Sequence, residues 1–461
     1  MSNAAVGSDR EQLVHHVRAL TGRLCARDTW SREQLVAHQQ TQLQALLAHA
    51  ASASPYYRDI LPRHTGARLD ELPTLPKSTL VAEFDRIVTD PRLRKTALEE
   101  HMDGPRVAQP FLGTYRAFST SGTTGLRGMF VFTEDEMATW VAVCLRGLAR
   151  LGVGPTTRFV AIGAPSSLHI TNQLFAAFQN PGVGAPRLSV ATPMDEIVTA
   201  LNDYQPEVIL TYASFAGMLA HEQLQGRLRM SPRRIVTTSE PLTEPVTQQI
   251  EDAWQVGVGN GYAATEAPLM ASSAAEHSDL LVNEDVVVLE IVDDENRPVP
   301  PGALGSKVLL TNLVNRVLPL IRYELSDTVT PAGDEPRLPY PYKRLARVDG
   351  RSVDVLYLPR AGGGEVAVHP FRLGTRFARF HDVRQFQIVH DERGLTVRVV
   401  ARTGAASNVA EHVRDEVTAE LVAAGAASPT VAVELVDALE REPGPAAKLK
   451  LVHSSLPRRA G

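Results

Sequence analysis

Between residues 31 and 51 the apolar positions Leu35, Leu43, Leu46 and Leu47 recur at helical spacing among glutamines and histidines. That spacing predicts an amphipathic helix ending before Ser54-Pro55, because proline cannot continue helical hydrogen bonding. A second helical stretch is expected over 134–151. The runs RFVAIG (158–163) and PEVILTY (206–212) are short, apolar and bounded by Pro or Gly, as buried strands are, and 235–238 repeats the pattern. Strands of this kind alternating with longer helices predict an α/β architecture, a largely parallel sheet flanked by helices.

Beyond Asn283 the texture changes. VVVLEIVDDENRPVPPGALGSKVLL places two strand-like runs about a turn rich in Asp, Pro and Gly, which predicts a β-rich subdomain. After Gly350 come a Gly-rich link at 361–364, strands near 383–389 and 395–401, a helix near 408–424 and a last strand near 430–435. A large domain over 1–350 and a small α+β domain over 351–461 are therefore expected. Length agrees, since 461 residues exceed the roughly 250–300 that one core supports. No internal repeat and no low-complexity tract interrupts the chain.

Composition then narrows the function. A net charge of −5 leaves no electrostatic footprint for nucleic acid. Two cysteines, Cys25 and Cys144, supply neither a disulfide framework nor a four-thiolate zinc site, and His277 reads as a turn or pocket residue. The amino-terminal segment lacks the pattern of a signal peptide, and no apolar run reaches the ~18 residues that a membrane span needs. A cytoplasmic protein that does not enter membranes is expected.

The stretch FSTSGTTGLRGM (118–129) carries the first chemistry. Successive backbone N–H groups in a glycine-permitted turn make an anion-binding concavity, and the hydroxyls of Ser121, Thr123 and Thr124 beside Gly122 and Gly125 add donors of small bulk. Phosphate is one reading of this loop and a solvated Ser/Thr loop is the other. It is not a Walker A loop, and LGVGP (151–155) is no dinucleotide fingerprint.

Further along the chain stand NGYAATE (260–266), RYELSD (322–327), GRSVD (350–354) and PGPAAKLK (443–450), with ASPYYRDIL (53–61) and ELPTLPKSTL (71–80) before them. This ordered set resembles the adenylate-forming superfamily of acyl-CoA synthetases, adenylation domains and luciferases, and within it the phenylacetate-CoA ligase branch. The resemblance implies ATP and Mg²⁺ as cofactors and a small, mobile carboxyl-terminal domain. It puts the loop residues 121–125 on phosphate, Tyr262 against adenine, Thr265 on the α-phosphate, Glu266 on Mg²⁺, Asp327 on the ribose hydroxyls and Arg351 at the hinge. Lys448 would reach the carboxylate and α-phosphate during adenylation, with Lys450 as its alternative. Arg322 is read as a structural ion-pair partner.

Several positions depart from the family pattern. Arg127 follows the loop where Pro-Lys or Pro-Thr is usual, and it offers a planar cation to the β/γ-phosphates. Ala263, Ala447 and Val353 stand where glycine, glycine and aspartate are common. By position, Tyr212, Ser214, Ser239, Ala264 and His169 would wall the acyl pocket. The branch favours a small aromatic acid, with CoA, a carrier-protein thiol or an amine as acceptor, in bacterial secondary metabolism. Two rival readings stay open: a diazotase that activates nitrite and joins it to an aryl amine, and a partner protein that binds nucleotide without turnover. The acid, the acceptor and the oligomeric state are not encoded in these motifs.

Overall fold

The computed structural model describes residues 3–61, 68–104, 109–120, 128–163, 170–178, 185–186, 188–190, 192–275, 277–334, 338–351, 356–360, 363–368, 373, 382–401, 405–441 and 449–456. The 31–51 pattern folds as the helix Arg32–Ala53, burying Leu35, Leu43, Leu46, Leu47 and Ala50. Ser31 caps it: Gln34 donates its amide to the Ser31 hydroxyl at 3.3 Å, and Ser31 donates its own to Gln34 Oε1 at 2.9 Å. Ser54 and Pro55 then end one helix and open the next, Pro55–Ile60.

The 134–151 stretch is the helix Glu134–Arg150, capped by Thr133. One Glu136 oxygen accepts from Thr133 N at 2.7 Å; the other accepts from Arg316 N at 2.6 Å and Val317 N at 3.2 Å. Burial raises the Glu136 pKa although these amides oppose the shift. Lying along this helix is Asn3–Ala26, which the hydrophobic pattern had not marked.

The strands, in chain order, begin with the hairpin β1 (Tyr115–Thr120) and β2 (Gly128–Thr133). The large sheet draws on β3 (Phe159–Gly163), β4 (Leu188–Ser189), β5 (Val208–Tyr212), β6 (Arg234–Thr238), β7 (Val258–Tyr262), β8 (Ala271–Ala274) and β9 (His277–Val282). Next come β10 (Val287–Val292), β11 (Lys307–Asn312), β12 (Tyr323–Leu325), β13 (Asp327–Pro331) and β14 (Arg344–Arg351). Among the described residues the large sheet has nine strands, ordered β13-β14-β9-β8-β7-β6-β5-β3-β4. Its β4-β3-β5-β6-β7 half is parallel and the remainder antiparallel. β3 and β5 are buried throughout, the reason they read as unbroken apolar runs.

The region after Asn283 is β-rich as expected, but its strands divide. β10, β11 and β12 form a sheet of their own, whereas β14 returns to pair with β9 and brings β13 into the large sheet.

After 351 follow β15 (Leu356–Pro359), β16 (Glu365–Val368), β17 (Val383–Asp391), β18 (Gly394–Ala401), β19 (Val431–Leu435) and β20 (Val452–Ser454). The Gly-rich stretch read as a link falls between the paired strands of the β15/β16 hairpin. Gly363 (φ +101°) and Gly364 (φ +79°) supply left-handed backbone that side-chain-bearing residues rarely adopt. The order β19-β18-β17-β20 is covered by the helix Val409–Ala423, whose Val409, Val413, Val417 and Leu421 face the strands at four-residue spacing. These residues share an apolar cluster that runs from Leu356 to Val452 and is separate from the main one. Among the described residues no helix is long and apolar enough to cross a membrane.

Candidate active site

The parallel strands set the site, because in open α/β sheets ligands bind at the carboxyl ends of the strands. Tyr212 ends β5, Thr238 ends β6 and Tyr262 ends β7, and registry aligns them: Tyr212 faces Thr238, and Thr238 faces Gly261. Tyr212, Ser239 and Tyr262, read from separate motifs, thus share one edge. Tyr212 is wholly buried and its hydroxyl lies 3.3 Å from Thr171 Oγ1. At the neighbouring end of β3 a Cβ on Gly163 would meet Phe175 Cε2 at 2.6 Å, so the ring packs directly on backbone there.

Tyr262 donates its hydroxyl to Asp327 Oδ2 at 2.7 Å. The bond joins the end of β7 to the start of β13, two motifs far apart in sequence. Asp327 also pairs in register with Arg351, which places the hinge residue of the sequence reading beside the ribose residue. The loop after Tyr262 is closed by Met270 N donating to Tyr262 O at 2.8 Å and Ala264 N donating to Ala267 O at 3.2 Å. Within it Thr265 and Glu266 are nearly buried, and Ala264 packs against the main apolar cluster.

Glu266 is anchored from the β10–β12 sheet. Asn312 Nδ2 donates to the Glu266 carbonyl at 2.8 Å, and the Tyr323 hydroxyl lies 3.4 Å from Glu266 Oε1. A buried carboxylate with a hydroxyl-bearing neighbour is a hard-oxygen donor set, the chemistry that Mg²⁺ takes. Among the described residues there is no cluster of three or more His, Cys, Asp or Glu able to hold a metal unaided.

Ser214 sits in the first turn of the helix Ala213–Leu224. Its amide donates to Glu240 Oε2 at 2.8 Å, while its buried hydroxyl has no hydrogen-bond partner among the described residues. Ser239 is held at φ +67°, a left-handed conformation costing ~1–2 kcal/mol outside glycine, in the turn that presents Glu240. Arg322 is an ion-pair partner: its guanidinium grips Glu290 at 3.1 and 3.0 Å and donates to the Leu72 carbonyl.

Ser121, Gly122, Thr123, Thr124, Gly125, Arg127, His169 and Lys448 lie outside the described residues. The strands on either side of the loop are described, and Thr120 pairs with Gly128.

The motif reading missed Glu240, Asn312 and Gln387, and it gave no part to Tyr323 within RYELSD. Only Glu240 carried a local signal, an acid in Ser-Glu-Pro directly after a buried strand. The others are defined by partners more than forty residues away.

No protein-family profile matches the chain. It is 27% identical over 340 residues to the phenylacetate-coenzyme A ligase of Thermus thermophilus, covering 72% of this chain and 73% of that protein. It is 26% identical over 383 residues to the phenylacetate-coenzyme A ligase of Escherichia coli (strain K12), covering 80% and 82%. Among solved structures it is similar to a 2-hydroxyisobutyryl-CoA ligase in the postadenylation state with R3-HIB-AMP, at a TM-score of 0.72 and 19% identity over 93% of this chain and 91% of that one.

Proposed function

We propose that this chain, an adenylate-forming ligase of the phenylacetate-CoA ligase-like branch, activates a small aromatic carboxylic acid with ATP and passes the acyl group to CoA. The observation that carries this reading is the meeting of NGYAATE and RYELSD at one strand-end edge, through the Tyr262–Asp327 hydrogen bond beside buried Thr265 and Glu266.

The chemistry explains why such residues belong together. A carboxylate is a poor acyl donor until one of its oxygens attacks the α-phosphorus of ATP; the bond to the β-phosphate bridging oxygen breaks, and pyrophosphate leaves. A thiolate then attacks the acyl carbon of the mixed anhydride and AMP departs with the bonding pair. In this reading the Tyr262 ring lies against adenine and its hydroxyl fixes the Asp327 carboxylate. Asp327 accepts from the ribose hydroxyls. Thr265 donates to the α-phosphate. Glu266 would hold Mg²⁺, which would supply charge neutralisation on the phosphates. Loop 121–125 with Arg127 takes the β/γ-phosphates, and Arg351 lies at the hinge about which a carboxyl-terminal domain, 351–461, moves. Tyr212, Ser214, Ser239, Ala264 and His169 line the acid pocket. The unpartnered Ser214 hydroxyl supports this, since a buried hydroxyl without a partner costs ~1–3 kcal/mol that a bound ligand recovers.

Lys448 is assigned to the developing charge at the α-phosphate. Lys448→Ala is expected to lower adenylate formation at least ~100-fold, a single preorganised donor being worth ~3 kcal/mol. The test is AMP and pyrophosphate release from Mg·ATP across aryl and aminoaryl acids, each with and without CoA and with and without nitrite. Release that needs the acid alone and rises with CoA is the expected result. Release that requires nitrite would make the enzyme a diazotase, and calorimetric ATP binding without release on any acid would make it a silent nucleotide binder.

A further inference from the structure

Glu240 lies between two parts of the molecule. Ser239 turns the chain out of β6, and the Glu240 carboxylate that follows is half-buried. Oε2 accepts the amide of Ser214 at 2.8 Å, an amide in the first turn of Ala213–Leu224 with no acceptor inside its own helix. A carboxylate at a helix N-terminus is also favoured by the helix dipole. This leaves the other oxygen for a second donor, and Oε1 accepts the amide of Leu449 at 3.2 Å. That amide is the one that joins Leu449 to Lys448.

The segment gripped in this way is stapled from its own side. Gln387 on β17 donates Nε2 to the Glu440 carbonyl at 3.0 Å and to the Lys450 carbonyl at 2.9 Å, drawing together the two stems that flank 442–448. Arg441 and Leu449 form an antiparallel bridge across the same stems. A second contact meets the same helix: Arg441 Nη2 lies 3.5 Å from Met218 Sδ. Gln387 thus ties Glu440 and Lys450 to one strand, and Glu240 ties Leu449 to the turn after β6.

We propose that Glu240 is a positioning residue for the adenylation step, holding the Leu449 amide so that the adjoining Lys448 is presented to the site. The assignment rests on the reading in which Lys448 serves adenylate formation. A carboxylate suits the task because it accepts from two backbone amides at once. An amide in its place carries one acceptor oxygen and satisfies one of them.

The rival is that Glu240 caps a helix and nothing more. The full-length chain, Glu240→Gln, Glu240→Ala, Lys448→Ala and the double variant Glu240→Ala/Lys448→Ala separate the two. Four readouts are taken: pyrophosphate release, thioester formation from supplied acyl-adenylate and CoA, Tm, and hydrogen exchange of a peptide spanning Leu449 without substrates. Glu240→Ala is expected to slow adenylate formation about 10- to 100-fold, the range for losing a charge-assisted hydrogen bond, with the thioester step largely unchanged. It should add little to Lys448→Ala, because both changes act through one lysine. Leu449 exchange should quicken while β17 and β18 keep their protection. Glu240→Gln, which retains an oxygen for Ser214, should show the same split with a smaller fall in Tm, and it carries the test if the alanine variant does not fold.

Equal losses in both steps with a lowered Tm would reduce Glu240 to a cap and overturn the proposal, as would unchanged exchange at Leu449. If wild type forms no adenylate with any acid, the functional reading itself fails and the adenylation role with it. Exchange at Leu449 then still decides whether Glu240 holds that segment.

Discussion

Asp285 and Asp327 are both held by side chains from distant motifs, yet they do different work. Asp285 is wholly enclosed. Arg146, itself fully buried, donates to both of its oxygens at 2.8 Å, and Arg27 adds a third bond at 3.0 Å. Around them Arg146 also reaches Asn283, Tyr342 and the Leu24 carbonyl, while Arg150 grips Asp28 at 2.9 and 2.7 Å. Asp327 lies half-buried at the strand-end edge and accepts from the neutral Tyr262 hydroxyl. A guanidinium fork cancels a carboxylate's charge. A phenol's single hydrogen bond orients a carboxylate oxygen. Chain-internal cations make Asp285 part of the architecture, tying the amino-terminal segment to the sheet; Asp327 stands at the strand-end edge, where the proposed reading puts the ribose hydroxyls.

Breaking the first side of this contrast should cost most. Asp285→Asn strands a buried guanidinium and is expected to destabilise the fold by ~3–5 kcal/mol, read as a fall in Tm, while turnover per folded molecule is kept. The same aspartate sets an acid limit. Burial alone would raise its pKa, but the Arg146 charge and fork outweigh this and hold it down at about 2. Between the unfolded value near ~4 and the folded value, the unfolded chain binds the extra proton. The stabilisation is therefore complete above that window and lost as pH falls through it. Denaturant midpoints against pH should drop more steeply there in wild type than in Asp285→Asn, and parallel curves would reject the assignment.

The second side breaks more gently. Tyr262→Phe removes the bond to Asp327 and should weaken ATP binding about tenfold with little change in Tm, consistent with ~1.5 kcal/mol for a hydrogen bond to a charged group. A calorimetric Kd equal to wild type would show that the phenol does not orient Asp327 for nucleotide. Smallest is Ser31→Ala, which should cost ~1 kcal/mol through the lost helix cap and leave ATP affinity untouched. A change in affinity there would mean that the amino-terminal helices reach the site.

Where local pattern specified structure, it did so for identifiable reasons. The Arg32–Ala53 helix was legible because its buried leucines, its Ser31 cap and its terminating Ser54-Pro55 all lie within one stretch. β3 and β5 were legible because both faces are covered, which demands continuous apolar sequence. Asn3–Ala26 was not, since among the described residues its apolar contacts, Leu20 and Leu24 on the main cluster, are few, and Arg146, which donates to the Leu24 carbonyl, lies more than a hundred residues onward. The 361–364 glycines announced left-handed backbone, which serves a hairpin and a link equally well; only the pairing of Leu356 with Val368 distinguishes them.

The sequence by itself determined the α/β class, the helices Arg32–Ala53, Glu134–Arg150 and Val409–Ala423, the strands β3, β5 and β6, and the order of the motifs that carry the chemistry, because each of these follows from periodicity or from residue types within a short window. Tertiary structure alone decided that β13 and β14 rejoin the large sheet, that Tyr262 meets Asp327, and that Glu240 bridges Ser214 and Leu449. Those are choices among many chemically equivalent partners. Sheet order and chain closure make them, since a carboxylate's two oxygens satisfy whichever donors the fold delivers to it.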